Sequence, residues 1–514
     1  MAKHSLPTGI QSFRKLRERE CYYVDKTGYA LRLFREGTHY FLARPRRFGK
    51  SLFVDTLRHL FEGHQALFEG LAAYDRWDWS VRYPVVRLDF AGLVSTKHGD
   101  LDEHVQDQLA ELEADTNVEP HRRSTPLRFR NLVRSLHRQS GHQVCVLVDE
   151  YDKPILDCLE DPEQARANRD YLRGLYGMIK SCDEDIRFVF LTGVSKFSKV
   201  NLFSGLNNLI DVTLEPTYSA ICGYTEDDLD NVFAPELPGL DRKRIREWYN
   251  GYSWGAEKVY NPYDLLLLFR KRAFNAWWFE TGTPTFLLRL LAENAVSSAD
   301  LDGMLASEQL LSTFDVGRIA PEALLFQTGY LTLGREEWRD NLPHYRLVYP
   351  NLEVRQSLNL SLRDYLTGYD RQREAHSRTL SKLLQAGDLD GLEGLLRALF
   401  ASIPSDWHRR NRIAEYEGYY ASVLHAYFAG LGLDVTVEDS SSGGRLDMAV
   451  RAGGRVYLFE FKLADRSERG SALAQLKARG YADKYRHLGE PIHQIGVGFS
   501  AKTRTLSDFE TELA

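Results

Sequence analysis

Up to about residue 215, short apolar runs alternate with longer stretches whose apolar positions recur at helical spacing. The runs HYFLA from His39, PVVRLDF from Pro84, QVCVLVDE from Gln143 and IRFVFLTG from Ile186 are rich in Val, Leu and Phe. Strands buried on both faces of a parallel sheet read this way, and the amphipathic stretches between them read as crossover helices. From about 225 to 365 the pattern is mainly helical, punctuated by aromatic-rich turns such as YNGYSW and FNAWWFETGTP. Residues 370–400 predict two more helices joined by AGDLDG, and IPSDWHRRN from Ile403 reads as a linker. Over 413–431, Tyr416, Tyr420, Val423, Leu424, Tyr427 and Leu431 fall on one helical face. Strand, strand, helix and strand then follow to the end. The pattern predicts an α/β chain with domains at 1–225, 226–365, 366–408 (a helical linker) and 409–514.

Composition narrows the class. At about 150 residues per domain, 514 residues allow about three domains. With 43% hydrophobic and 27% charged residues, whole-chain disorder, collagen and coiled coil are excluded. A net charge of -6 advertises no global field for a polyanion, so any nucleic-acid contact must come from local patches. One candidate patch, Pro120 to Gln143, carries Arg122, Arg123, Arg128, Arg130, Arg134 and Arg138 and no carboxylate, although a solvated basic helix is the commoner explanation of such a run. The five cysteines form no C-x-x-C pair and have no histidine neighbours at ligand spacing, which gives no grounds for a disulfide framework or a structural zinc. The N-terminal segment lacks an apolar signal core, and runs such as VCVLV and LLLLF are far too short to span a bilayer. The expectation is a cytoplasmic protein with no membrane partner.

The first specific chemistry lies in HYFLARPRRFGKSLFVDTLRHLF. A buried strand runs into Arg44, Pro45, Arg46, Arg47, Phe48, Gly49, Lys50 and Ser51, then a helix with an apolar stripe of Phe53, Leu57, Leu60 and Phe61. Strand, loop, Gly-Lys-Ser and helix form the context of a phosphate-binding loop, with Arg44 standing where the first glycine of the usual motif falls. In that reading backbone amides and the helix N-terminus cradle phosphate. Lys50 neutralises the β- and γ-phosphates, and Ser51 ligates Mg²⁺. A second strand ends in Asp149 and Glu150. The first is suited to holding the ion, the second to polarising the attacking water. A further strand reaches LTGVSKFS, bringing Thr192 and Ser195 toward the γ-phosphate from between these motifs. In YYVDKT, Tyr22 to Thr27, a Tyr or Lys can pack on adenine, or the segment is a structural turn.

The second specific pattern is GGRLDMAVRAGGRVYLFEFKLADR, a hairpin of two strands. Because side chains alternate along a strand, Glu460 and Lys462 share one face while Phe459 and Phe461 take the other, and Asp447 points away from Leu446 and Met448. Two carboxylates and a lysine thus converge. Carboxylate pairs hold Mg²⁺, or Mn²⁺ in its place, and the ion activates water against a phosphodiester. Glu417 on the preceding helix is a further candidate ligand. Gln475 and Tyr481 on the following helix are candidates for supporting or phosphate contacts.

With these motifs and YVDKT, LVDEYDKP, SGLNNLIDVT, YNGY, TGTP, LFQTGYLTL and YPNLEVR, nearly the whole chain resembles the AAA-ATPase-like family that carries RPRRFGKS in its phosphate loop. Its C-terminal part resembles the PD-(D/E)XK nuclease-like domain often fused to that family. The resemblance implies a P-loop NTPase parallel-sheet core, a helical middle and a restriction-endonuclease-like α/β end. It makes Arg44 an expected loop residue and places the nuclease pattern on Glu417, Asp447, Glu460 and Lys462, with Gln475 and Tyr481 borne on the helix. It implies ATP and Mg²⁺ as cofactors but no particular substrate; nucleic acid is the expected partner, DNA ahead of RNA. AAA-type ATPases often assemble in rings with an arginine finger from a neighbour; a homo-oligomer stays open, and the sequence singles out neither a ring nor that arginine. The expected function is an ATPase gating a Mg²⁺-dependent nuclease. The rival is a nucleotide-dependent switch whose C-terminal fold binds nucleic acid or protein without cleaving. A phosphotransferase would need an acceptor-activating base that the sequence does not reveal.

Overall fold

The computed structural model describes every residue except 1–2, 95–98, 121–123, 197–205, 207, 280–284, 295, 297, 312–318, 340, 368–372, 402–416, 442–443, 465–469, 501 and 504. The chain divides into two compact units, one formed by residues 1–280 and 304–351, the other by 281–303 and 352–514. Among the described residues no helix is long and apolar enough to cross a membrane.

The first unit is built on β1 (His39–Ala43), β2 (Val85–Asp89), β3 (Val144–Asp149), β4 (Ile186–Gly193) and β5 (Ile210–Asp211), in the order β2-β3-β4-β1-β5. Every neighbouring pair is parallel. All positions of β1 and of β3 are buried, as a sheet covered on both faces requires. The expected stripe of Phe53, Leu57, Leu60 and Phe61 lies buried on the helix Lys50–Phe61, next after β1. Because β4 lies between β1 and β3, its carboxyl end sits between the phosphate loop and the acidic strand end. Clefts of this kind, at the carboxyl ends of a parallel sheet, are where such folds take ligands.

A buried latch holds the loops after β3 and β4 together. The Asp152 carboxylate accepts from the Val194 amide at 3.2 Å, and from the Ser195 amide and Ser195 Oγ at 2.6 Å each. Removing it strands two buried amides, so Asp152→Ala should cost about 2–3 kcal/mol, allowing for the unfavourable burial of the carboxylate itself. Chemical denaturation of the intact chain measures this. An unchanged midpoint would show that the loops hold together without the latch.

The middle region carries, beside its helices, a three-stranded antiparallel sheet that the apolar pattern did not announce. It is ordered β6-β8-β7, from β6 (Leu305–Ser307), β7 (Thr332–Arg339) and β8 (Leu342–Val348).

The second unit contains β9 (Asp434–Ser441), β10 (Gly444–Ala452), β11 (Arg455–Leu463), β12 (Ile492–Ser500) and β13 (Thr505–Leu513), ordered β13-β12-β11-β10-β9. All pairs are antiparallel except β11 with β12. The expected hairpin is β10–β11, and β9 and β13 are additions to the expected order. Tyr457, Phe459 and Phe461 enter a core with Tyr420, Val423 and Leu424 of the helix Glu417–Gly430. Val456 and Leu458 enter a second core on the opposite face with Leu476 of the helix Ser471–Arg479. Alternation along β11 therefore puts Glu460 and Lys462 on the face carrying that second helix.

Candidate functional site

The phosphate loop is shaped by two left-handed residues. Gly49 has φ +94° and caps the helix Lys50–Phe61, with open space where a Cβ would stand. Arg47 has φ +68°, a conformation uncommon for a residue with a side chain, and its guanidinium lies 3.8 Å above the Tyr263 ring. Phe48 is buried and packs edge-on against Tyr252 and Trp254, anchoring the loop from beneath. Arg46 is exposed, and its carbonyl accepts from the Trp278 indole at 3.2 Å. Lys50 is buried, and its ammonium donates to the Pro45 carbonyl at 2.9 Å, so it lies along the inside of the loop. Burial lowers its pKa, while Asp149 and Glu150 oppose that shift. A cation held this way is under-solvated and available to a phosphate.

At the ends of the neighbouring strands, Asp149 is fully buried and its Oδ2 has no hydrogen-bond donor. Burial raises its pKa, and the Ser51 hydroxyl and Lys50 oppose that. An orphaned carboxylate oxygen beside a hydroxyl is a fitting start for an Mg²⁺ site, since that ion takes hard oxygen ligands. Glu150 follows at φ +52° with its amide on Asp149 Oδ1 at 3.1 Å. That strained turn carries the Glu150 side chain to the wall of a cavity of about 440 Å³, which Lys26, Arg47, Lys50, Ser51 and Tyr263 also line. This volume is within the range of small-ligand sites.

Three residues expected at the phosphates are committed elsewhere. Arg44 is buried and donates to the carbonyls of Ala43, Thr213 and Tyr218 at 2.9–3.0 Å, with its guanidinium 4.1 Å above the Trp254 ring. Its own amide is bonded to Gly193. Arg44 therefore ties strand ends together rather than reaching phosphate, and burial lowers its pKa to about 10. The Thr192 hydroxyl donates to the Leu42 carbonyl at 2.8 Å, inside the sheet. The Ser195 hydroxyl belongs to the Asp152 latch. Pro45 contributes its carbonyl to Lys50.

Sequence reasoning passed over Asp89 and Arg87. Asp89 pairs in register with Asp149 across β2 and β3, and Arg87 reaches Asp89 at 2.8 Å, Asp55 at 3.4 Å and Asp149 at 3.9 Å. The acid at the end of PVVRLDF was the available signal. YYVDKT serves as both turn and wall. Asp25 accepts from the Thr27 amide and hydroxyl, while Tyr22, Tyr23 and Lys26 line the cavity. In the arginine-rich segment, Arg128 is clamped to the buried Glu113, and Arg134 to Asp185 at 3.4 Å. Both guanidiniums are engaged within the fold, Arg128 against a buried carboxylate and Arg134 in an exposed pair. Arg130 is half-buried and Arg138 exposed on the same helix, while Arg122 and Arg123 lie outside the described residues.

In the second unit, Asp447 and Glu460 occupy the positions just beyond the Met448–Phe459 pair of β10 and β11. Asp447 Oδ2 accepts from the Phe461 amide at 2.8 Å. Glu460 is 1% exposed, and its Oε1 takes two donors, the Lys462 ammonium at 3.3 Å and the Gln475 amide. Its Oε2 is buried with no donor at all. Burial and the neighbouring Asp447 push the Glu460 carboxyl up to about 7. One oxygen is thus fixed by two donors and the other presented bare beside a second carboxylate, a donor set that fits a divalent cation. Tyr481 is buried in the core on this face. Glu417 opens its helix, and its side chain lies outside the described residues.

Gly496 on β12 pairs with Glu460 on β11, and a Cβ there would stand 2.5 Å from the Leu473 amide. The helix bearing Gln475 needs that absence to lie against the sheet. Gly496→Ala should push the helix off, costing about 1–3 kcal/mol, and should weaken divalent binding through lost Gln475 support. Titration calorimetry and a melting curve check both effects. Unchanged divalent affinity would separate helix packing from the site.

Comparison with known proteins agrees with this division. A family model described as a predicted AAA-ATPase matches residues 7–203. One for the PD-(D/E)XK nuclease superfamily matches 415–509. A protein of Azotobacter chroococcum mcd 1, described as an uncharacterized protein in the vnfD 5′ region, is 55% identical over 513 residues, covering 100% of this chain and 99% of its own length.

Proposed function

This chain belongs to the AAA-ATPase-like family and carries a PD-(D/E)XK nuclease superfamily domain at its C-terminal end, and from that premise we propose that it binds and hydrolyses ATP and couples this to Mg²⁺-dependent cleavage of nucleic acid. In the first unit, the amides of Gly49, Lys50 and Ser51 receive phosphate oxygens at the helix N-terminus, where the dipole favours negative charge. Lys50 exchanges its bond to the Pro45 carbonyl for the β- and γ-phosphates. Ser51 and Asp149 would hold Mg²⁺, and Glu150 would take the proton of the attacking water.

In the second unit, Asp447 and Glu460 hold Mg²⁺, or Mn²⁺ in its place. The ion would act as Lewis acid on the scissile phosphate and lower the pKa of its bound water. Lys462 would orient the attacking water and balance charge developing on the phosphate, and Gln475, with Lys462, holds Oε1 of Glu460 and leaves Oε2 available to the ion. The observation carrying this reading is the bare, buried Oε2 of Glu460, an arrangement that is costly unless a cation completes it.

The test is divalent-dependent cleavage of single- and double-stranded DNA and RNA by the intact chain, against Asp447→Ala and Lys462→Ala. Cleavage that persists unchanged in both variants would sink the nuclease assignment. DNA is expected to be cut ahead of RNA, and the cytoplasm is the expected location.

One observation favours the rival switch. Glu460 is 1% exposed, under a helix whose backbone closely approaches the sheet, so a phosphodiester reaches it only if that helix yields. A protein that binds Mg²⁺ or Mn²⁺ through Glu460 and binds nucleic acid, yet leaves every strand intact with and without ATP, would be the switch.

A further inference from the structure

We infer that the turn closing the phosphate-loop helix is a transition-metal site for Zn²⁺, formed by His59, Glu62 and His64. His59 Nδ1 and His64 Nδ1 are 2.9 Å apart, and Glu62 Oε2 lies 3.7 Å from the first and 3.3 Å from the second. Zinc bonds of about 2.0–2.1 Å in tetrahedral geometry place ligand atoms about 3.3 Å from one another. The observed triangle brackets that spacing, so a single ion above it reaches all three atoms. It is the one such grouping of three or more His, Cys, Asp or Glu among the described residues.

Local structure sets the triangle. His59 lies in the last turn of the helix Lys50–Phe61. Gly63, at φ +76°, then reverses the chain, and the His64 amide returns to the His59 carbonyl at 3.1 Å. The His59 ring is 2% exposed, whereas Glu62 and His64 are 31% and 38% exposed, which leaves an entry path and room for a water as fourth ligand. Burial keeps His59 neutral, with its pKa lowered to about 4, and neutral imidazole is the form that binds metal.

Without metal, one proton lies between the two Nδ1 atoms. Metal binding moves it to His59 Nε2, which faces Asp55 Oδ2 at 3.7 Å and the Arg58 guanidinium at 3.1 Å. Asp55 then serves as the carboxylate that orients a ligating histidine. Arg58 is already forked onto Asp55 Oδ1 at 3.0 and 2.7 Å and must draw back slightly from the ring.

The donor set also chooses the ion: two imidazole nitrogens and one carboxylate suit Zn²⁺, whereas Mg²⁺ takes oxygen ligands and keeps its waters.

The test uses the full chain, stripped with chelator, and titrated with Zn²⁺ by calorimetry and with Co²⁺ by visible absorption. Wild type and Asp447→Ala should each bind one equivalent at this turn, with a Co²⁺ ligand-field band that millimolar Mg²⁺ does not displace. His64→Gln and Glu62→Gln, both at partly exposed positions, should weaken that binding at least tenfold, erase the band and leave the melting midpoint of the metal-free protein in place. A band that survives in both variants, or disappears in Asp447→Ala, overturns the assignment. So does a wild type with no Zn²⁺ uptake.

Discussion

Lys50→Ala should weaken Mg·ATP binding by roughly 10²–10³-fold, the equivalent of about 3–4 kcal/mol, while changing the stability of the nucleotide-free protein far less. The two halves of this expectation come from one observation. Lys50 is 6% exposed, and its ammonium donates to the Pro45 carbonyl. Burial disfavours its charged form. In the nucleotide-free protein the ammonium carries a burial cost partly offset by Asp149 and Glu150, so deleting it relieves that cost and removes their counter-charge together, two effects that oppose each other. With nucleotide bound it is the group that faces two phosphates. Calorimetric titration with Mg·ATP, paired with a melting curve, reads both halves. Retained affinity in Lys50→Ala would refute the phosphate-loop reading.

Arg44→Ala is the informative contrast. Three carbonyls lose a buried donor and Trp254 loses its cation, so the expected loss is about 3 kcal/mol or more of stability. Affinity should fall only as far as the loop loosens. An arginine and a lysine of one motif thus fail in opposite ways, the lysine by function and the arginine by folding.

That contrast marks where sequence was readable. The strands β1 to β4, the helix Lys50–Phe61 and the β10–β11 hairpin were legible because each is a near-continuous apolar run or a strict alternation. The convergence of Asp447, Glu460 and Lys462 followed from the two-residue period of a strand alone. What periodicity does not report is which partner a polar side chain chooses. Arg44, Thr192 and Ser195 stand at the right positions along the chain, yet carbonyls of neighbouring strands and the Asp152 carboxylate claim their donors. Those partners lie tens to more than a hundred residues away, beyond any local pattern.

The unexpected strands have a similar cause. The burial of β7 reads buried, buried, then mostly exposed, and β13 is largely exposed or half-exposed. Edge strands with one wet face lack the apolar run that signals a strand. The histidine–glutamate triangle escaped because its ligands come from a helix end and the turn beyond it, and metal spacing was sought around cysteines.

Glu460→Gln should abolish divalent-dependent cleavage, by at least about 10³-fold as for loss of a group acting in the transition state, while making the metal-free protein more stable above neutral pH. The substitution keeps shape and keeps Oε1 as acceptor for Lys462 and Gln475. It replaces the oxygen that has no donor with an uncharged NH₂ group beside Asp447. Folding raises the Glu460 pKa from 4.5 to about 7, through burial and the nearby Asp447. The folded state therefore binds the proton more tightly than the unfolded chain. Its contribution to stability is fully present below about pH 4.5 and is lost as pH rises through about 7. In chelator, wild type should lose on the order of 2–3 kcal/mol relative to Glu460→Gln between pH 4.5 and 8. The two proteins should melt alike at the acid end and diverge above neutrality. Saturating Mn²⁺ should restore the wild type and leave the variant unmoved, because only the carboxylate gains a partner. A merely structural Glu460, paired and satisfied in the metal-free protein, would show the reverse: the variant would be the less stable protein at pH 8, and Mn²⁺ would change neither.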